Sequence, residues 1–424
     1  MSDKVKLFSL CMVLFIDAIG SGLILPILPE LFLNQDYGLL LGYGFHHTGL
    51  IYGITLAVFP LASLFGKYLL GALSDHFGRK KTILAGLCII LLSYLLSIIA
   101  IVLDSVPLFI LARFITGFGA GTYTAVYAMI SDVSKTLDSK MTNFKWPALA
   151  TVLGFIVGPI LGGTSSIVDG PLSLIIPFGV GFILTLLNIL KAKSSLSETL
   201  KTNPNSNISL VNFISESYHY LLNIRHNQRV TLLLSSYFFL QLAIGLYVQS
   251  ISLYLAKVHH FTTHQISFFY VIMGCAILLN TILIQKRLQD KSSSQGILVG
   301  ISLFGAVVFA LLEISRVMLN DNIVLLFAGS FFIYLLLNLS INIYTAILSQ
   351  HSPKSEQGKL ISLAGQTYSL TWFIASLLGG AMVMNKASLL FCSVFLVISL
   401  FFIVRFRHLE NISLSAVVAE KYRQ

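Results

Sequence analysis

The chain has 424 residues, of which 56% are hydrophobic and only 10% are charged. Soluble domains carry about 25% charged residues because their surface faces water, so the composition excludes an ordinary soluble enzyme. The net charge of +10 is spread between apolar runs rather than gathered in one domain, and we therefore expect no nucleic-acid partner.

Apolar runs of about 20 residues predict membrane-spanning helices, because a hydrocarbon core of about 30 Å requires that length. The chain contains twelve such runs, at about residues 6–33, 47–70, 82–103, 107–132, 145–168, 173–193, 229–257, 264–285, 294–316, 321–349, 359–384 and 387–406. The sequence therefore predicts an all-α membrane protein whose solvent is a lipid bilayer.

Lysine and arginine fall on alternate connections between these runs. One side receives nearly all of them, whereas the other receives Lys257, Arg316 and Lys386. Because cytoplasmic loops carry the positive excess, the pattern predicts that both termini are cytoplasmic, and we expect a bacterial inner membrane.

A single long polar connection, residues 194–228, divides the spans into two groups of six. It contains the run FISESYHYLLNI, which predicts a short amphipathic helix at the inner surface. We therefore predict an N-terminal six-helix bundle in residues 1–193, a cytoplasmic linker in 194–228, and a C-terminal six-helix bundle with a short cytoplasmic tail in 229–424. Paired bundles of this kind are typical of secondary transporters.

The segment GALSDHFGRKK, residues 71–81, connects the second and third spans and includes Gly71 and Lys80. Gly78 permits a tight turn, and Asp75 and Arg79 supply charges near helix ends. Asp132, at the inner end of the fourth span, is the predicted partner of Arg79. We expect this cluster to act as a latch on the inner side that breaks when the protein opens. The alternative is that the bases only anchor the loop.

Two charged residues lie within apolar spans. Asp17 is 11 residues after Lys6, or roughly 16 Å along a helix, which is near mid-bilayer. An ionised carboxylate there must face a cavity, pair with a cation or carry a proton. Arg113, in the fourth span, is its candidate partner, and the pair could couple a proton to a conformational change. Both could instead be structural, and Glu30 is expected to be a solvated rim residue.

The fifth span contains Gly154, Gly158 and Gly162, which share one helix face, together with Pro159 and Gly163. Small residues at this spacing permit close helix packing. We expect the surface to slide against the corresponding helix of the second half.

These motifs carry a resemblance to a known family. The residues 71–81 resemble the signature of the major facilitator superfamily, and GFIVGPILGG resembles the helix-five element of its drug/proton antiporter branch. Together with FIDAIGSGLILPILPELF, Arg113, AMISDVS and SQHSPKSEQGKLISL, they make the chain similar to that branch, which includes tetracycline exporters. The resemblance implies the major facilitator fold and export of a small amphipathic molecule in exchange for protons.

Polar side chains in the second half are candidates for substrate binding, and we select Asn338, Asn342 and Gln366. Each could instead bond only to a neighbouring helix. The four cysteines lie in apolar runs without metal-ligand spacing, and no Walker sequence occurs. We therefore expect no cofactor, no metal and no enzymatic activity.

The predicted function is proton-coupled secondary transport by alternating access, as a monomer, of a small organic molecule that is exported. The alternatives are a proton symporter that imports a nutrient or metabolite, and a siderophore carrier. A membrane enzyme or sensor is disfavoured because no nucleophile motif or soluble domain is apparent, and two halves with gating motifs favour a carrier over a channel.

Overall fold

The computed structural model describes residues 3–40, 48–134, 137–168, 170–200, 227–350, 357–384 and 388–421. Within these ranges the regular structure is helical and no strand occurs. The first part of the chain forms α1 Asp3–Leu33, α2 Thr48–Phe77, α3 Arg79–Val102, α4 Val106–Gly119, α5 Thr122–Val133, α6 Leu137–Gly163 and α7 Leu172–Ser195. The second part forms α8 Gln228–Val258, α9 Thr263–Leu279, α10 Gln285–Lys291, α11 Ser294–Met318, α12 Ile323–Gln350, α13 Gln357–Met384 and α14 Ser388–Lys421.

The apolar spans account for these helices. Among the described residues, 11 helical segments are long and apolar enough to cross a membrane. The helix α13, with 28 residues, lies where the remaining span was predicted. The predicted all-α membrane fold is therefore confirmed. The run FISESYHYLLNI lies outside the described residues.

The fourth predicted span is divided into α4 and α5 at Ala120 and Gly121. Close packing on α2 explains why glycines are found there. A Cβ atom on Gly121 would lie 2.2 Å from the carbonyl carbon of Gly66, and one on Gly117 would lie 2.3 Å from the carbonyl oxygen of Phe59. The break therefore lets the α4–α5 backbone touch that of α2.

The eighth predicted span is also irregular, because the π-helical segment Asn280–Ile284 separates α9 from α10. The Asn280 amide donates a hydrogen bond to the Leu335 carbonyl in α12. The helix α14 continues to Lys421, well beyond the predicted end of the last span near residue 406.

The described helices form two compact units. One contains α1 to α7 with the end of α8 from Val248, α9 to Leu278, and the end of α13 from Ser376. The other contains α8 up to Tyr247, α10 to α12, α13 up to Ala375, and α14. The carboxyl-terminal ends of α8 and α13 and most of α9 thus pack with the first six predicted spans.

Candidate functional site

The turn between α2 and α3 is formed by Gly78, whose φ of 105° is unfavourable for residues with a side chain. A Cβ atom at this position would also lie 2.4 Å from Oε2 of Glu198. Both the backbone conformation and the close carboxylate therefore require glycine here. The predicted tight turn is thus present, and it places Arg79 at the first position of α3.

Arg79 is buried and joins three helices. Its Nη1 donates to Ser74 Oγ at 2.7 Å and to Asp75 Oδ1, and its Nε donates to Asp132 Oδ2 at 3.2 Å. The side chain of Arg79 is 11% exposed, against 61% for Asp75 and 28% for Asp132. The guanidinium is therefore the buried centre of the cluster, and the predicted contact with Asp132 is formed.

The other two predicted members of this cluster have different neighbours. The Lys80 ammonium donates to the Lys193 carbonyl at 2.8 Å, at the end of α7. Gly71 faces Thr124 of α5, with a distance of 3.4 Å from an ideal Cβ to the hydroxyl oxygen. Lys80 thus joins α3 to α7 through this bond.

Arg113 of α4 is 6% exposed. Its Nε and Nη1 are buried and have no hydrogen-bond partner in the structure, and the guanidinium carbon lies 5.0 Å from the centre of the Phe59 ring. The ion pairs between described residues do not join Arg113 to Asp17. The direct pair that the sequence suggested is therefore not formed in this structure.

Tyr94 of α3 lies within electrostatic range of both charges. Both Asp17 and Arg113 are close enough for their charges to act on the Tyr94 hydroxyl. The tyrosine is 3% exposed. Its ring fills the space beside two glycines, since a Cβ atom on Gly20 would lie 1.9 Å from the Tyr94 hydroxyl oxygen and one on Gly181 would lie 2.5 Å from the ring.

The sequence did not identify Tyr94. Its signal was a single phenol in the aliphatic run LLSYLLS, which does not show what the side chain faces.

Three of the four glycines of the fifth predicted span pack on α1, a partner that the sequence did not predict. Three glycines of α6 meet three carbonyl oxygens of α1 at matching intervals of one helical turn. The ideal Cβ distances are 2.5 Å for Gly154 to Phe15, 2.6 Å for Gly158 to Ile19, and 2.4 Å for Gly162 to Leu23. Since Asp17 lies between Phe15 and Ile19, this contact fixes the position of the acid.

The proline of this motif belongs to the same contact, because an ideal Cβ atom on Gly22 of α1 would lie 3.0 Å from Cδ of Pro159. Gly163 differs from the other glycines, because its ideal Cβ would lie 2.8 Å from Ser267 Oγ of α9.

The three candidate substrate residues are not alike. The side chain of Asn338 lies outside the described part of the structure. Asn342 is exposed and its amide is 3.5 Å from Gln285 Oε1. Gln366 is half-buried, with its amide 3.4 Å from Ser362 Oγ. Their part in substrate binding stays a prediction.

Other contacts join α1 and α2 to α8 and α9 in the same compact unit. The Tyr52 and Ser252 hydroxyls are 2.7 Å apart in a buried hydrogen bond. The Glu30 carboxylate accepts a hydrogen bond from the Thr263 hydroxyl, and another from the Tyr37 hydroxyl at 3.2 Å. Glu30 is half-buried and also joins helices of this unit, and its assignment as a rim residue stays a prediction.

A transporter is the class of protein that these features indicate. The described residues hold no group of three His, Cys, Asp or Glu side chains that could bind a metal. The model of the Major Facilitator Superfamily matches residues 10–333 and 233–420. The chain belongs to this superfamily, and it is a membrane transporter rather than an enzyme.

Several of the relatives that the chain resembles are drug-resistance proteins, which confirms the resemblance to tetracycline exporters. It is 28% identical to the class B tetracycline resistance protein of Escherichia coli over 195 residues, 45% of this chain and 44% of that protein. It is 27% identical to multidrug resistance protein 2 of Bacillus subtilis over 204 residues, 48% of each chain. Each match spans less than half of the relative's length.

Solved structures share the fold. The D-xylose–proton symporter has a TM-score of 0.76 at 16% identity, covering 95% of this chain and 98% of that one. The human organic anion transporter MFSD10 has a TM-score of 0.68 at 17% identity, covering 95% and 100%. At these identities the likeness establishes the architecture and leaves the substrate to be inferred.

Proposed function

We propose that this protein exports a small amphipathic organic molecule in exchange for protons, by alternating access. The observation that carries the proposal is the buried guanidinium of Arg113, whose Nε and Nη1 have no hydrogen-bond partner and whose charge, like that of Asp17, acts on Tyr94. Leaving a buried charge without a partner costs several kcal/mol, so a conformation or protonation state that supplies a carboxylate or a bound anion is favoured over this one.

Proton binding at Asp17 provides that alternation. When the acid is ionised, it attracts Arg113. When it is protonated, the attraction is lost and the guanidinium is released. A ligand drives a conformational change only through its different affinity for the two states, and a proton at Asp17 meets that requirement.

The direction of transport rests on other support. The relatives are named for resistance to tetracycline, to quinolones and to multiple drugs, which favours export. The alternative of proton symport uses the same fold and the same acid, so it is distinguished by the direction of proton movement.

The remaining assignments follow from the charge pattern and the family. We place the protein in a bacterial inner membrane, as a monomer with both termini in the cytoplasm. The functional halves are residues 1–193 and 229–424, joined by the linker 194–228. The cluster of Arg79, Asp75 and Asp132 is the latch on the inner side.

The direct test uses inside-out vesicles without an imposed gradient, to which a drug, siderophore or amino acid is added. Antiport predicts that substrate entry releases protons into the medium. Symport predicts that the medium becomes more alkaline. Proton release with an amphipathic drug supports the proposal, whereas alkalinisation, or movement without any proton flux, contradicts it.

The Asp17→Asn variant should remove proton-driven uptake into these vesicles when their lumen is made acidic, because the amide cannot exchange a proton. The protein should still reach the membrane and remain folded. Asp36→Asn, in the exposed connection after α1, is the matched control and should retain uptake. Undiminished uphill transport by Asp17→Asn would show that the acid does not carry the coupled proton.

A further inference from the structure

Five residues that directly follow α7, Leu196 to Leu200, lie against the cluster around Arg79. We call residues 196–200 the strap. Leu196 anchors it, because this side chain is 3% exposed and belongs to an apolar cluster that includes Leu10 of α1 and Leu87 of α3. The strap is therefore held by the core of the first unit.

Glu198 of the strap caps the start of α3. The first backbone N–H groups of a helix lack partners within the helix and are usually bonded by a nearby side chain. Gly78, at the N-cap position, has no side chain to offer. Glu198 supplies the acceptor instead, with its Oε1 2.9 Å from Arg79 N and its Oε2 3.1 Å from Lys80 N.

The carboxylate is also bonded within the strap. Its Oε1 accepts from the backbone N–H groups of Thr199 at 2.9 Å and Leu200 at 3.1 Å. Partial burial raises the pKa of the Glu198 carboxyl, but the four backbone hydrogen bonds lower it, and the net pKa lies below its ordinary value. The group therefore stays ionised at neutral pH, as a cap requires.

The neighbouring residue reaches the other side of the ion pair. Thr199 Oγ1 donates to Asp132 Oδ2 at 2.9 Å, and the same oxygen accepts from Arg79 Nε at 3.2 Å. The strap thus bonds both to the backbone of Arg79 and to the Asp132 carboxylate with which Arg79 pairs. A residue that only stabilised α3 would require the first of these contacts and not the second.

We propose that Glu198 is a positioning residue for the latch: it fixes the amino end of α3 so that Arg79 reaches Asp132, with Thr199 holding the carboxylate. This role rests on the proposed function, in which the latch closes the inner side. It makes the strap one cooperative unit with the ion pair, although Glu198 touches neither substrate nor proton.

Hydrogen–deuterium exchange of the full-length protein in lipid nanodiscs tests the contact without transport. In Glu198→Ala, the Arg79 and Lys80 amides should exchange roughly fivefold faster, as expected for the loss of a helix cap. Glu198→Gln should be intermediate, because its amide nitrogen cannot accept from Lys80. Ser197→Ala, at an exposed position of the strap, is the control and should leave exchange unchanged.

Thr199→Val tests the cooperative unit, because it keeps the shape of the side chain and removes the bond to Asp132. Exchange at Arg79 and Lys80 should also accelerate, although Glu198 is untouched. In vesicles, Glu198→Ala and Asp132→Ala should each slow proton-driven uptake, and the double variant should be no slower than Asp132→Ala, since interacting residues are not additive.

The results separate the two proposals. Vesicles of the unaltered protein that show no proton-coupled transport contradict the proposed function. In that case the hydrogen–deuterium exchange still tests the contact of the strap with α3. Unchanged exchange at Arg79 and Lys80 in Glu198→Ala, or in Thr199→Val, overturns the positioning role. Additive losses of uptake in the double variant overturn it as well, because Glu198 would then support α3 independently of the ion pair.

Discussion

The residues around Tyr94 are closely fitted. The phenol lies between Gly20 of α1 and Gly181 of α7, with no room for a methyl group at either glycine. It is also within electrostatic reach of Asp17 and Arg113. The two glycines therefore hold the phenol in place beside both charges.

We expect Gly20→Ala to lower both the thermal stability and the transport rate, because its methyl group would lie 1.9 Å from the Tyr94 hydroxyl oxygen. Overpacking of a buried contact typically costs about 1–3 kcal/mol. Adding Tyr94→Phe removes that oxygen and should restore the melting temperature of the protein in detergent. Gly179→Ala, where nothing lies within 4 Å of the ideal Cβ, is the control. A double variant as unstable as Gly20→Ala would show that the hydroxyl is not what the methyl group meets.

At the scale of helices, the α1–α6 contact shows what periodicity can and cannot predict. The spacing of Gly154, Gly158 and Gly162 correctly indicated one smooth face on a helix. It could not identify the neighbour, because the same spacing suits any helix that approaches closely. The structure shows that this face meets α1 at the turns that flank Asp17, so these three glycines position the acid.

Gly158→Ala should impair transport more than it lowers the amount of folded protein. Its Cβ would lie 2.6 Å from the Ile19 carbonyl oxygen and 2.9 Å from Cα of Gly22, so the two backbones must separate and Asp17 must move. Gly300→Ala in α11, which meets nothing within 4 Å, is the matched control in a helix. Transport rate per folded protein, measured in vesicles, should fall severalfold in the first variant only. Equal rates would mean that α1 tolerates the shift.

For the molecule as a whole, hydropathy and charge were sufficient to predict the spans, because bilayer thickness sets the length of an apolar run that can cross the membrane. They also predicted the Arg79–Asp132 contact, since both residues lie at predicted inner ends. The contact of Glu198 with the start of α3 was not accessible in this way. Glu198 is 119 residues from Arg79, and its position after the sixth span looked like the start of an ordinary linker. The divided fourth span was missed because its glycines suit a continuous membrane helix equally well.

The predicted outer ends of several helices meet in one compact unit, and under the proposed function this contact would be the counterpart of the latch. Gly53 of α2 and Gly380 of α13 bring their helices together so closely that a Cβ atom on Gly380 would lie 2.1 Å from the Gly49 carbonyl oxygen. The Tyr52–Ser252 and Glu30–Thr263 hydrogen bonds lie at the same predicted outer side. Under the proposed alternating access, these contacts would break when this side opens.

Gly380→Val should therefore favour the conformation that is open to the outside, because the side chain cannot fit against the α2 backbone. The measurement is the labelling rate of a cysteine at Ser267, which is buried beside Gly163. The background lacks the four native cysteines, and the reagent is a membrane-impermeant maleimide added from outside. Labelling should be severalfold faster than in the parent. Gly365→Val, on the same helix with nothing within 4 Å of its ideal Cβ, should label at the parent rate. If both variants label at that rate, the α2–α13 contact does not control outer access, and the gate must depend on the hydrogen bonds of Tyr52 and Glu30 instead.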